Sequence, residues 1–165
     1  MAVPLLAGVR YMRIESLANH PKLAAKIGKW HWDEWGHADP EGTLESWIEG
    51  IAGRNNAKTI PMTLVALSDV GELLGSVSLV ECDMDTHCEF RPWLAGLYVN
   101  PNSRNARVGS MLTAHAFEAA LSTGIDRLYL YTSKARALYE RLGWVAIGFE
   151  FYEGEHVTIM CKSNI

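Results

Sequence analysis

The sequence predicts a mixed α/β fold whose central sheet contains one strand–helix–strand crossover. Three observations lead there. Apolar residues recur at helical spacing over 21–51 and give way to β-rich runs from Met62. Two of these runs, 62–67 and 73–80, flank Ser68-Asp69-Val70-Gly71-Glu72, a hairpin connection. A run apolar on both faces, 93–99, is stopped by Pro101 and followed by a long helical pattern and a further strand, the order of a crossover.

Taken in order, 9–14 reads as a short first strand. Over 21–35, Leu23, Ile27, Trp30 and Glu34 recur at helical spacing with one polar break, and Pro21 suits a first turn. Thr43 caps a second helix carrying Leu44, Trp47, Ile48 and Ile51, with Gly53 near its end. After the hairpin, 83–91 is a polar loop. Strict alternation in 93–99 sets Trp93, Ala95, Leu97 and Val99 against Leu94, Gly96 and Tyr98, as in a strand covered on both sides. The next helix, 105–123, puts Val108, Met111, Leu112, Ala116 and Ala119 on one stripe and ends at Gly124. A strand follows at 127–132. Ser133 then caps a short helix to Leu142, and Gly143 stops it. Residues 144–152 and 156–161 close the chain as a hairpin around Glu153-Gly154-Glu155.

The 165 residues fit one domain, 1–165, with no repeat or linker. Hydrophobic residues make up 48% and charged ones 21%, enough for a core without disulfides or metal. A net charge of −4 argues against a nucleic-acid binder, which normally shows a basic face. No apolar run is long enough to span a bilayer, and 1–8 lacks the basic start and long apolar stretch of a signal peptide. Cys82, Cys88 and Cys161 are odd in number and form no C-x-x-C pair. They predict free thiols in a reducing, cytoplasmic compartment, although Cys82 and Cys88 could face each other across a turn.

The junction from Leu97 through Asn100-Pro101-Asn102-Ser103-Arg104-Asn105-Ala106-Arg107-Val108-Gly109-Ser110 carries chemistry. A turn leading into a helix exposes successive N–H groups at the positive end of the helix dipole. With Arg104 and Arg107 beside it, and Gly109 admitting close approach, such a turn suits a pyrophosphate. An ordinary surface turn has the same appearance.

Residues 104–109 resemble the R/Q-x-x-G-x-G/A signature of the GNAT superfamily of N-acetyltransferases. Residues 132–144, Thr-Ser-Lys-Ala-Arg-Ala-Leu-Tyr-Glu-Arg-Leu-Gly-Trp, resemble that family's N-x-x-A-x-x-L-Y-x-x-x-G-F/W. The two stand in order with one strand between them. The resemblance implies a GNAT-like fold: a central, mostly antiparallel sheet with a β-α-β crossover and helices on both faces. It implies acetyl-CoA as co-substrate, with the backbone of Leu97, Tyr98 and Val99 pairing with the pantetheine arm where this strand splays from 127–132. It places Arg104, Asn105, Arg107, Val108, Gly109 and Ser110 at the pyrophosphate. Arg107 stands where the family has glycine, and Thr132 where it often has asparagine. Tyr139 would protonate the departing thiolate, a step its ordinary acidity suits; on its helical stripe it also reads as a packed core residue.

The acceptor implied is an amine, on a small molecule or a peptide, and it must lose a proton before it attacks. The central strand 93–99 contains no carboxylate, so Glu81 ranks first as the base, ahead of Asp83, Asp85 and Glu34. Trp30, His31 and Glu34, in the aromatic stretch 30–37, and Asp83 are expected to line the acceptor side, aromatic faces suiting an ammonium. Packing of helices on the sheet explains the same tryptophans. His31, Glu34 and His37 do not have metal-ligand spacing, so no metal is expected. An acyl-CoA-binding sensor without chemistry is the alternative function. The C-terminal hairpin is a candidate homodimer surface.

Overall fold

The computed structural model describes residues 3–4 and 11–164. Strand β1 (Val3–Pro4) pairs antiparallel with β2 (Tyr11–Ser16). The expected strand start at Val9 and most of the apolar opening at 1–8 lie outside the described residues. A 3-10 turn at Pro21–Leu23 leads into α1 (Ala24–Trp35). Helix α2 (Leu44–Ala52) is capped reciprocally: Ser46 N–H donates to Thr43 Oγ1 at 3.0 Å and Thr43 N–H to Ser46 Oγ at 2.9 Å. The two helices cross so closely that a Cβ on Gly28 would stand 2.6 Å from Ile48 Cα.

Strands β3 (Met62–Ser68) and β4 (Leu73–Val80) form the expected hairpin, with β5 (Trp93–Val99) antiparallel to β4. Helix α3 (Val108–Ser122) crosses to β6 (Arg127–Thr132), which runs parallel to β5. Helix α4 (Arg136–Arg141) follows, then the hairpin of β7 (Val145–Tyr152) and β8 (Glu155–Ser163), with β8 laid between β6 and β7. Among the described residues the strand order is β1-β2-β3-β4-β5-β6-β8-β7, antiparallel throughout except at β5–β6. Helix α3 buries Leu112, Ala116 and Phe117 on one face of the sheet, where Tyr139 of α4 joins them. Helices α1 and α2 bury Ile27 and Ile51 on the other, against Val65, Leu67 and Leu73.

Several local expectations give way to tertiary structure. Helix α3 begins at Val108 rather than Asn105, because Asn105 (φ 63°) and Arg107 (φ 64°) are left-handed and interrupt it. Ser133 does not cap α4; the Ala135 N–H donates instead to Thr132 Oγ1 at 3.0 Å. Cys82 and Cys88 are joined as a disulfide, their Cα atoms 5.2 Å apart, and Cys161 alone is free. The loop folds around the fully buried Met84, which brings its two flanks together and corrects the expectation of three free thiols. The compartment argument built on those thiols loses its footing.

Strand β5 holds the largest departure. Its register against β4 slips between Ser76 and Ser78, because Gly96, at φ 62°, forms a bulge. A one-residue slip reverses every side chain beyond it. Trp93 and Ala95 therefore share a face with Tyr98, while Leu97 and Val99 join the α3 side. Burial on both faces also holds only for Trp93 to Ala95; from Gly96 onward the strand is half-buried.

Candidate active site

The reason for that half-burial is the neighbouring strand. The parallel pairing of β5 with β6 is confined to Trp93↔Tyr129, with the Tyr129 N–H donating to Pro92 O at 3.0 Å. Beyond it the strands part. β4 continues to pair with Tyr98 and Val99, so only the β6 side of Leu97, Tyr98 and Val99 is left without a partner strand. A cleft with one polar backbone wall thus opens in the middle of the sheet.

At the C-terminal end of β5 the chain turns through Pro101–Ser103 and the two left-handed residues into α3. The first backbone bond of the helix runs from the Met111 N–H to Arg107 O at 3.0 Å, so the N–H groups of Val108, Gly109 and Ser110 precede it and point out of the helix end. Arg104 anchors the turn: its Nε donates to Val99 O at 3.1 Å and its guanidinium lies 5.7 Å from the Tyr98 ring. Arg107 is exposed. A Cβ on Gly109 would find only Val99 Cγ2 at 3.7 Å and Leu97 Cδ2 at 3.8 Å, so packing within the protein does not require a glycine there.

Across β6, Thr132 supports the entry to α4. Tyr139 is buried on that helix, its ring 6.0 Å from that of Trp144. Burial raises its hydroxyl above the ordinary phenol range, so it is a weaker proton donor than the ordinary acidity expected from the sequence.

The opposite side of the cleft is aromatic. Trp30, His31 and Trp35 of α1 lie against Tyr98 at ring separations of 5.1, 6.3 and 6.2 Å. His31 is 3% exposed, and its Cε1 would be 2.9 Å from a Cβ on Gly96, so the imidazole fills the space the bulge leaves. Burial, then the nearby Arg54 charge, lower its pKa to about 3 and keep it neutral. Its Nε2 has no hydrogen-bond partner among the described residues. Glu34 and His37 are exposed, so the three groups at 31, 34 and 37 do not converge.

The acidic residues divide. Glu81 is exposed and lines a shallow cavity with Thr59, Arg91, Thr123 and Ile125, at the end of α3 remote from the Arg104 turn. Asp83 is half-buried, and its pKa is pushed up to about 6 by burial, with Arg54 opposing the shift and Glu153 adding to it. Tyr131 and Tyr152 stand close by at 5.4 Å ring separation, and Tyr152 Oη donates to Asp85 Oδ1 at 2.9 Å. Arg54, Tyr131 and Tyr152 went unread in the sequence. They come from three distant segments, and no spacing links them.

A parted β5–β6 pair beside a helix end with free N–H groups is the arrangement this chain presents, and the family match gives its class, an acetyltransferase. Residues 24–144 match the Acetyltransferase (GNAT) family, and the chain belongs to it. No curated protein matches it in sequence. The fold is similar to an aminoglycoside 6'-N-acetyltransferase complexed with coenzyme A, at 17% identity and a TM-score of 0.72, covering 92% of this chain and 96% of that one. It is also similar to the aminoglycoside 6'-acetyltransferase type Ii (19%, 0.70, covering 92% and 96%). Spermidine N-acetyltransferase from Vibrio cholerae, in complex with CoA and spermine, shares it as well (16%, 0.68, covering 92% and 95%).

Proposed function

We propose that the protein transfers an acetyl group from acetyl-CoA to an amine by direct attack, with Asp83 as base and Tyr139 as proton donor. The observation that carries this reading is the confinement of β5–β6 pairing to Trp93↔Tyr129, which leaves the β6 side of Leu97, Tyr98 and Val99 without a partner strand for an extended ligand, with Val99 O held by Arg104 Nε. The donor set fits the co-substrate. The N–H groups of Val108, Gly109 and Ser110, with Arg104, Asn105 and Arg107 around them, suit its pyrophosphate, and the uncrowded Gly109 leaves room for it. Thr132 supports the turn into α4 at the far side.

When bound, acetyl-CoA supplies the thioester carbonyl that the amine attacks. Asp83 takes the proton that the ammonium must lose; it is the half-buried carboxylate of the acceptor side, and a pKa of about 6 leaves it ionised yet basic at pH 7. It replaces Glu81 in this reading because Glu81 lies apart from the cleft. Tyr139 gives its Oη proton to the leaving sulfur as the C–N bond forms and the C–S bond breaks, and the acylated nitrogen releases its second proton to solvent. The proton on Asp83 returns to solvent, and Tyr139 recovers one from it. Trp30, His31 and Tyr98 form the aromatic wall of the acceptor side, with Glu34 at its exposed rim. Most of the rate is assigned to positioning. The named activities of the aminoglycoside and spermidine enzymes support a small-molecule amine as acceptor. The homodimer rests on the row Val145, Ile147, Phe149 and Phe151, which β7 leaves exposed at the sheet edge, and sedimentation velocity decides between one copy and two.

Release of free thiol from acetyl-CoA in the presence of amines tests the reading. Tyr139→Phe is expected to lower kcat by roughly 10²-fold with acetyl-CoA affinity unchanged; an unaltered kcat removes Tyr139 from the mechanism. Binding of acetyl-CoA without thiol release for any amine points to the sensor instead.

A further inference from the structure

Separate stretches of chain meet on the α1–α2 side of β5, and two of them bring opposite charges that lack partners. Arg54 follows the Gly53 cap of α2, and the bridge Asn55↔Met62 ties this segment to the start of β3. Asp83 lies within the Cys82–Cys88 loop, which the bond from Tyr152 to Asp85 docks onto β7. Tyr131 and Tyr152 wall the space beside it. Both charged residues are half-buried. Among the described residues neither forms an ion pair within 4.0 Å, although each acts electrostatically on the other. Next to Arg54, the buried His31 also keeps an unpartnered Nε2.

A half-buried guanidinium beyond ion-pair reach of every carboxylate among the described residues is costly unless something supplies the missing anion. Asp85 and Glu153 do not supply it, being exposed, with Asp85 engaged by Tyr152. A polyamine or an aminoglycoside brings only cations, which Arg54 repels. A free α-amino acid carries an ammonium and a carboxylate on one carbon, and so answers both unpaired charges at once.

We propose that the acceptor is a free α-amino acid, its carboxylate held by Arg54 and its amino group turned toward Asp83. Arginine's planar fork matches a carboxylate in two parallel bonds. The proposal rests on the acetyltransferase reading above, and it names that site's substrate class.

Matched pairs test it: lysine with cadaverine, histidine with histamine, and tyrosine with tyramine, with spermidine as a polycation, all followed by thiol release from acetyl-CoA. The best amino acid is expected to exceed its decarboxylated counterpart by at least about tenfold in kcat/KM, the effect of one charge-assisted contact. Arg54→Gln should bring the two to one level, and Arg54→Lys, which keeps the charge and loses the fork, should fall between. Amines or spermidine outrunning the amino acids overturns the proposal and leaves acetyl transfer standing. Failure of acetyl-CoA to bind in calorimetry overturns the transferase reading, and this one with it. Should Arg54→Gln not fold, the melting shift that tyrosine and tyramine each give the wild-type protein with CoA present reads the same preference. Equal shifts reject it.

Discussion

Asp83 and His31 show how burial sets chemistry residue by residue. The Asp83 carboxyl is raised to about 6, so kcat/KM is expected to climb with pH around a midpoint near 6 and then level. Asp83→Asn should flatten that limb and lower the rate, measured across pH 5–8. The same group acts on stability with a definite sign. A carboxyl whose folded pKa lies above its unfolded value of 3.8 costs stability as pH rises from about 4 through 6, because the fold disfavours the ionised form. Asp83→Asn is therefore expected to stabilise the protein at pH 8 by about 1–2 kcal/mol, after allowance for partial solvent contact, in urea denaturation. His31 has the opposite sign: its folded pKa of about 3 lies below the unfolded 6.5, so stability is lost as pH falls through that window. Gly96 is the companion position. Alanine there adopts φ 62° and drives a Cβ to 2.9 Å from the imidazole, which should cost at least about 1–2 kcal/mol and lower the melting temperature.

Among the elements, the α1–α2 pair gives a contrast within one substitution type. A Cβ on Gly28 meets the backbone of Ile48 at 2.6 Å, whereas one on Gly50 meets nothing within 4 Å. Gly28→Ala is expected to destabilise by about 1–3 kcal/mol through overpacking. Gly50→Ala, in the interior of α2, should stabilise by about 0.5–1 kcal/mol through helix propensity. Denaturant midpoints of the two variants separate backbone contact from propensity. The Cys82–Cys88 loop is a second test. Reduction with dithiothreitol should cost about 2 kcal/mol for so short a loop and loosen Asp83 with it. An unchanged melting temperature and unchanged rate would remove the disulfide from both roles.

At the scale of the whole molecule, the cleft and the helix end stand in the middle of a continuous sheet, between β5 and β6, so binding there draws on the whole fold. Acetyl-CoA at a hundred times its dissociation constant is expected to raise stability by about 2.7 kcal/mol, read as an upward shift in melting temperature. No rise at saturating acetyl-CoA would contradict the co-substrate assignment.

Local pattern determined much of this protein. The α2 cap at Thr43, the β3–β4 turn, the β-α-β crossover and the two segments around Arg104 and Tyr139 were all legible, because each depends on neighbours a few residues apart. Residues at a distance decided the rest. The slip at Gly96 exchanged the faces of Leu97, Tyr98 and Val99, since alternation fixes a face only while pairing stays in register. Met84 drew Cys82 and Cys88 together, which a count of cysteines does not foresee. Arg54, Asp83, Tyr131 and Tyr152 became one neighbourhood only when four segments met beside the sheet. The Arg104 turn is local and so was readable, while the neighbourhood of Arg54 and Asp83 is assembled by burial and charge across the whole chain.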